Sequence, residues 1–312
     1  MEPTLTFVFG CTGSGKGRLG RELAKRTRGE IVSVDSMKVY RRMDIGTAKP
    51  SAQDRADVPH HLIDVVEPSD DFSVAQYVGL AEDAIKEIHD RNRPIFVVGG
   101  TPLYVKALSE GLFEGPGADA EIRDRLGKIA EREGSTALHV RLAQVDTKAA
   151  ERIHPNDVRR LIRALEVHEL TGLPISELQS QWDQDRTKYK CAFIGLRREL
   201  DDQNHRTNER VRRMIDVGLV DEVRSLLGEP VPLSTAARQA IGYAEIITHL
   251  EGKVSLADAV EMIKINTRQF AKAQRTWFKR FVDTEWIDLT ADAEPEKVVE
   301  DLLSRRGSLW SP

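Results

Sequence analysis

The stretch Gly10-Cys11-Thr12-Gly13-Ser14-Gly15-Lys16-Gly17 follows the phosphate-loop spacing G-x-x-x-x-G-K-[ST] up to its last position. Such a loop turns consecutive backbone N–H groups inward and opens a helix whose N-terminal end is partly positive, so a diphosphate is held largely without side chains. Lys16 adds a point charge for the terminal phosphate, and the whole segment Gly10 to Gly17 is the expected diphosphate or nucleotide site. The usual magnesium-binding hydroxyl is missing, because position 17 is Gly. Any magnesium is then held mainly through the diphosphate, by water, or by a hydroxyl of Thr12, Ser14 or Ser36, with the protein ligand unassigned. Asp35 suits a general base, a magnesium ligand or a turn residue. Thr101, after Gly99 and Gly100, suits either a phosphate-binding hydroxyl or a helix cap. The adjacent pair His60 and His61 reads as structural.

These residues need elements to bring them together. Thr4 to Phe9 is a short apolar run stopped by Gly10, and the segment after it carries apolar residues at helical spacing (Leu19, Leu23, Ala24), which predicts strand, glycine loop, helix. EIVSVDS predicts a buried strand ending at Asp35, Val74 to His89 a helix, and PIFVVGGT a further strand ending at Gly99 and Gly100. Strands alternating with helices imply a parallel sheet, whose ligands sit beyond the carboxyl ends of the strands. The loop, Asp35 and Thr101 would share that edge.

At EGPGADA the composition turns to glycine and proline, and Ala120 to Leu178 follows without a convincing strand. CAFIGLRREL is again strand-like, followed by helical patterns near His205 to Leu227, Ala236 to Leu250 and Ser255 to Lys279. The expected fold is therefore α/β: a phosphate-loop NTPase-like parallel sheet core flanked by helices, with an all-helical domain inserted. The core would occupy 1–116 and 191–312, and the insert 117–190.

With 312 residues, 40% hydrophobic and 31% charged, the chain has ample material for two globular domains. Its two cysteines, Cys11 and Cys191, are too few for a disulfide framework or a zinc site. The absence of a long apolar run or a charged-then-apolar leader points to a cytoplasmic protein with no membrane partner. The net charge of −4 hides two basic stretches. Between Lys264 and Arg280 there are six basic residues and no acidic one, and Lys264, Arg268, Lys272, Arg275 and Lys279 fall at steps that make one helical stripe, interleaved with Phe270, Trp277, Phe278 and Phe281. Arg152, Arg159, Arg160 and Arg163 stand against one acid, Asp157. Most such runs are solvated helix faces, a reading weakened here by the missing acids and the interleaved aromatic residues.

Five long segments then become specific: DSMKVYRRMDIGTAKP, VPHHLIDVVEP, VVGGTPLYVKAL, HPNDVRRLIRALEV and TRQFAKAQRTWF. Together with the leading loop, and in this order from Leu5 to about Phe281, they resemble the tRNA dimethylallyltransferase (IPP transferase) family. The resemblance implies transfer of a dimethylallyl group from dimethylallyl diphosphate to N6 of the adenosine at position 37, beside the anticodon, of tRNAs reading codons that begin with U. Lys16, Thr101 and Arg210 would stabilise the departing diphosphate, with Mg2+ bound to it. Asp35 would act on the proton of the exocyclic amine, on a base taken out of its stack. The implied contacts to the tRNA anticodon stem-loop are Asp35, Ser36, Met37, Lys38, Thr101, Arg123, the run Arg159, Arg160, Leu161, Ile162 and Arg163, and Arg268, Lys272 and Arg275. One chain would supply donor site and tRNA clamp, so a monomer is expected.

The sequence departs from the family pattern at Gly17 (Ser or Thr), Lys38 (Gln), Pro102 (Gly) and Ala273 (Arg). A shikimate-type kinase shares the loop and the acid ending the second strand, but predicts no basic helical insert. A transferase acting on free adenine nucleotides, and a tRNA-binding homologue without catalysis, complete the alternatives. The loop pattern is also that of ATP sites, although the physical requirement is only a diphosphate.

Overall fold

The computed structural model describes residues 2–111, 115–179 and 189–310. In chain order the elements are β1 (Thr4–Gly10), α1 (Lys16–Thr27), β2 (Glu30–Val34), α2 (Ala52–Asp57), β3 (His60–His61), α3 (Val74–Asp90), β4 (Ile95–Gly99) and α4 (Pro102–Glu110). Then come α5 (Ala120–Glu133), α6 (Ser135–Val145), α7 (Thr147–Arg152), α8 (Val158–Thr171) and α9 (Ile175–Leu178). The chain continues with β5 (Lys190–Arg198), α10 (Leu200–Asp216), α11 (Leu219–Leu227), α12 (Thr235–Arg238), α13 (Tyr243–Leu250), α14 (Leu256–Phe278), β6 (Thr284–Leu289) and α15 (Pro295–Arg306). It divides into two compact units, residues 1–109 with 187–312, and residues 110–186.

In the first unit a six-stranded sheet runs in the order β3-β2-β4-β1-β5-β6, with every pairing parallel. Alternation along β1 sends Leu5, Phe7 and Phe9 to one face and Val8 to the other. The first face packs on α3 (Tyr77, Ile85, Ile88) and the end of α14 (Phe278), the second on α1 (Leu19, Leu23) and α15 (Val299, Leu302). Both faces are covered, which is why β1, β2 and β4 read as continuous apolar runs. Helices α10 to α14 bury a separate core with Val39, Tyr40 and Met43.

Several elements differ from the sequence expectation. His60 and His61 form a two-residue strand beside β2, where His61 Nε2 lies 2.8 Å from Glu30 Oε2. The pattern from His205 to Leu227 is two helices, because Gly218 sits at φ 104 between them, and Gly242 at φ 96 opens α13 in the same way. The pair β6 and α15, which no apolar run or helical pattern noted above announces, completes one sheet edge and part of one layer.

The second unit is helical, its core formed by Leu126, Leu138, Leu142, Leu161 and Leu165. Glu166, fully buried on α8, accepts from the Asp119 amide at 2.7 Å, from Arg123 Nε at 2.7 Å and Nη2 at 3.0 Å, and from Arg163 Nη1 at 2.8 Å. Burial pushes this carboxyl up, but the hydrogen bonds from Arg123 and Arg163 outweigh it and hold it below its usual range. Among the described residues no helix is long and apolar enough to cross a membrane.

Candidate active site

The carboxyl ends of β1, β2 and β4 meet at one edge, where Phe9 and Val34 are both in register with Gly99. A cavity of about 720 Å³ opens there within the first unit, bordered by Lys16, Gly17, Asp35, Lys38, Thr101 and Arg210 among others. Four of these come from the expected loop, strand end and glycine turn, and Arg210 arrives on α10.

The loop is held by its carbonyls. Thr12 O accepts from Gln203 Nε2 at 2.8 Å, Ser14 O from Arg198 Nε at 3.0 Å, and Cys11 O from the Ser14 amide at 3.1 Å and Lys16 Nζ at 3.2 Å. Gly13 (φ 81) and Gly15 (φ 95) take the left-handed conformations that produce the inward nest. The Thr12 amide donates to Gln274 Oε1 at 2.8 Å, and Gln274 Nε2 donates to Gly100 O at 2.5 Å. One buried side chain on α14 thus ties the phosphate loop to the glycine turn. A Cβ on Gly100 would lie 2.7 Å from Gln274 Nε2 and 3.2 Å from Lys16 Nζ, so a side chain here would displace Gln274 from the bond that ties the two loops.

Asp35 Oδ1 accepts from the amides of Met37 at 3.0 Å and Lys38 at 3.3 Å, a turn that fixes the carboxylate. Thr101 Oγ1 accepts from the Ser36 amide at 3.0 Å, which locks the segment after Asp35 onto the start of α4. Lys16 is desolvated, which pulls its pKa down to about 8 against the opposing pull of Asp35. Burial likewise lowers Lys38 and Arg210, again opposed by Asp35. Arg210 Nη1 lies 3.3 Å from Thr12 Oγ1. Three cations around one carboxylate make this an anion site.

Other expected residues fall elsewhere. Ser14 Oγ is buried, has no hydrogen-bond partner among the described residues and lies 2.8 Å from where a Gly10 Cβ would be, and Cys11 is buried as well. Of the three hydroxyls expected near a magnesium ion, those of Thr12 and Ser36 border the cavity and that of Ser14 does not, while Thr101 borders it as well. The basic stripe is not uniformly solvent-facing: Lys264 is buried and pairs with Glu261 at 2.6 Å, and Arg268 Nη1 donates to Asn208 Oδ1 at 2.8 Å. Lys272 is exposed and Arg275 half-buried. Phe278 and Phe281 belong to the core, with Phe278 stacked on Phe9, which leaves Phe270 at the cavity.

In the second unit Leu161 is fully buried and cannot offer its side chain to RNA, while Ile162 packs against the same core. Arg123 and Arg163 are engaged with Glu166, and Arg160 pairs with Asp157. Arg159 is exposed, with no ion pair among the described residues.

Sequence reasoning missed Gln203, Gln274 and Glu222. Glu222 accepts from the amides of Asp44 and Ile45 and from the Tyr243 hydroxyl, and so anchors the loop whose Gly46 and Thr47 border the cavity. Glutamine at these positions gives no local signal.

The sheet, the loop and the cationic cavity define a phosphate-loop α/β protein. The family described as IPP transferase matches residues 38–281. The chain is 48% identical over 284 residues to the tRNA dimethylallyltransferase of Geobacter metallireducens, covering 91% of this chain and 92% of that protein. It is 46% identical over 288 residues to the enzyme of the same name from Geobacter sulfurreducens, covering 92% and 93%. Among solved structures, the full-length tRNA isopentenylpyrophosphate transferase of Bacillus halodurans superposes with TM-score 0.73 at 40% identity, over 99% of this chain and 97% of that one. A eukaryotic dimethylallyltransferase acting on tRNA gives TM-score 0.82 at 26% identity, over 99% and 80%. The chain belongs to the IPP transferase family.

Proposed function

We propose that this protein transfers the dimethylallyl group of dimethylallyl diphosphate to N6 of adenosine 37 in tRNA. The observation that carries the reading is a single cavity in which the loop amides, Lys16 and Arg210 stand beside the Asp35 carboxylate. A donor diphosphate would lie on the cations, and a nucleophile that must lose a proton would lie near the carboxylate.

The allylic C–O bond breaks with its electron pair passing to the diphosphate oxygen, where Lys16, Arg210, the loop amides and the Thr101 hydroxyl stabilise the growing charge. The N6 lone pair is delocalised into the purine ring, so the amine is a weak nucleophile. As the C–N bond forms, its proton passes to Asp35, whose orientation is fixed by the amides of Met37 and Lys38. The products are prenylated adenosine, diphosphate and a protonated Asp35.

Among the described residues no group of three His, Cys, Asp or Glu side chains could hold a metal. The oxygens bordering the cavity, from Thr12, Asp35, Ser36 and Thr101, fit a magnesium ion carried mainly by the diphosphate. When bound, magnesium would add positive charge at the leaving group.

The Arg159 region and the exposed face of α14 would contact the anticodon stem-loop through phosphates, with salt-sensitive affinity. The test is mass spectrometry of nucleosides from unmodified tRNA incubated with protein, dimethylallyl diphosphate and magnesium, beside Asp35→Ala. A prenyl group gained on adenosine and absent in the variant supports the transfer. Salt-sensitive tRNA binding with no product favours the binding-only alternative.

A further inference from the structure

Lys38 is a cation of the site that the reaction above leaves unused. It borders the same cavity as Lys16, Gly17, Asp35 and Arg210, and is half-buried there. Among the described residues its ammonium makes no hydrogen bond or close ion pair, unlike Arg21, which reaches Asp54 at 3.2 Å, and Lys49, which reaches Asp64 at 2.6 Å. A desolvated, unpaired ammonium is costly unless an anion arrives to meet it. Its neighbour Gly17 lacks the hydroxyl that this loop pattern normally gives to magnesium, and a Cβ there would meet only Arg21 Nη1, at 3.7 Å.

We propose that Lys38 is a diphosphate-binding residue that takes over part of the charge neutralisation ordinarily supplied by a loop-held metal. Lys38 adds one positive charge beside Lys16, Arg210 and Asp35, in a cavity whose lining also carries Arg18, Arg21, Arg206, Arg213 and Glu209. A diphosphate carries more than one negative charge, so an unpaired ammonium beside the loop contributes to its neutralisation. The proposal rests on the donor-site reading of this cavity, but its test is separable from prenyl transfer.

Calorimetric titration of inorganic pyrophosphate into wild type, Lys38→Gln and Lys38→Arg, each with EDTA and then with magnesium, tests it. Loss of one charge-assisted contact predicts metal-free affinity about tenfold weaker in Lys38→Gln, recovered to within about threefold by magnesium, with Lys38→Arg near wild type. Equal metal-free affinity of wild type and Lys38→Gln overturns the proposal. So does an equal loss with and without magnesium, or a loss confined to tRNA affinity measured in parallel by filter binding. A wild type that binds no pyrophosphate under either condition defeats the donor-site reading itself. Should Lys38→Gln fail to fold, Lys38→Met and Lys38→Arg provide the same comparison of charge absent and charge retained.

Discussion

The backbone amide of Thr12 donates to Oε1 of Gln274 at 2.8 Å across 262 residues of sequence. The same side chain donates to Gly100 O, so the phosphate loop and the turn before Thr101 share one anchor. Gln274→Leu removes an acceptor and a donor inside the protein, at about 1–3 kcal/mol for each group left unsatisfied. Steady-state kinetics should show kcat/KM for the donor down about tenfold or more, with a lower melting temperature. Gln274→Glu, which keeps the acceptor for Thr12, should fall in between.

Asp35 separates two roles. Asp35→Asn keeps an oxygen for the Met37 and Lys38 amides but cannot take up a proton. Its melting temperature should match wild type while kcat falls by about 10²–10⁴-fold. An Asn variant with near wild-type kcat would remove Asp35 from proton transfer and leave it as a turn residue.

Lys16 sets a pH dependence. Its pKa in the folded protein is about 8, below its ordinary value, so in the free enzyme it loses its charge as pH rises through that value. The kcat/KM for dimethylallyl diphosphate should therefore decline above about pH 8, and Lys16→Arg should abolish the decline. Stability moves the other way. The unfolded chain binds more protons between about pH 8 and pH 10.4, so the Lys16 contribution to folding improves over that window. Comparing melts of wild type and Lys16→Met against pH checks that sign.

Gly17 lies in the first turn of α1, where a Cβ would meet only Arg21 Nη1 at an ordinary contact distance of 3.7 Å. Gly17→Ser should raise stability by about 0.5 kcal/mol through helix propensity. By placing a hydroxyl beside the diphosphate, it should also lower the magnesium concentration for half-maximal rate severalfold. A magnesium titration of initial rates reads the second effect independently of the melt.

In the second unit, Glu166→Ala should destabilise by about 2 kcal/mol, since it releases Arg123, Arg163 and the Asp119 amide together. The Glu166 carboxyl is held below its usual range, so its contribution is complete above the unfolded value near pH 4.3 and fades as pH falls through the folded one. Arg123→Ala should lower the melting temperature as well as any tRNA affinity. Protection by hydrogen exchange, resolved by peptide, distinguishes the two effects.

What was legible in the sequence follows from locality. β1, β2 and β4 are apolar runs because both sheet faces are covered, and the loop between β1 and α1 announces itself by glycine spacing. β6 gives no such run: Thr284, Glu285 and Trp286 are half-buried at the sheet edge, and the pattern is polar. The acid that neutralises Lys264 is Glu261, one helical turn before the stripe begins, and the acid that engages Arg163 is Glu166, just beyond the arginine cluster. Gln203 and Gln274 are unreadable because only the fold brings them to Thr12, across separations of 191 and 262 residues.

The position of β1 in the sheet also has a consequence for synthesis. β1 lies between β4 and β5, and β5 is translated only after the whole second unit has been translated. At about 5–20 residues per second, roughly half a minute separates Thr12 from Gln274. Until β5 and Gln203 are made the nascent chain carries one edge of β1 unpaired and a phosphate loop with neither glutamine anchor, and the loop lacks its second anchor until Gln274 follows. Premature termination within the helical insert would therefore release a chain with an open, apolar strand edge, a substrate for chaperones and proteases rather than a smaller enzyme.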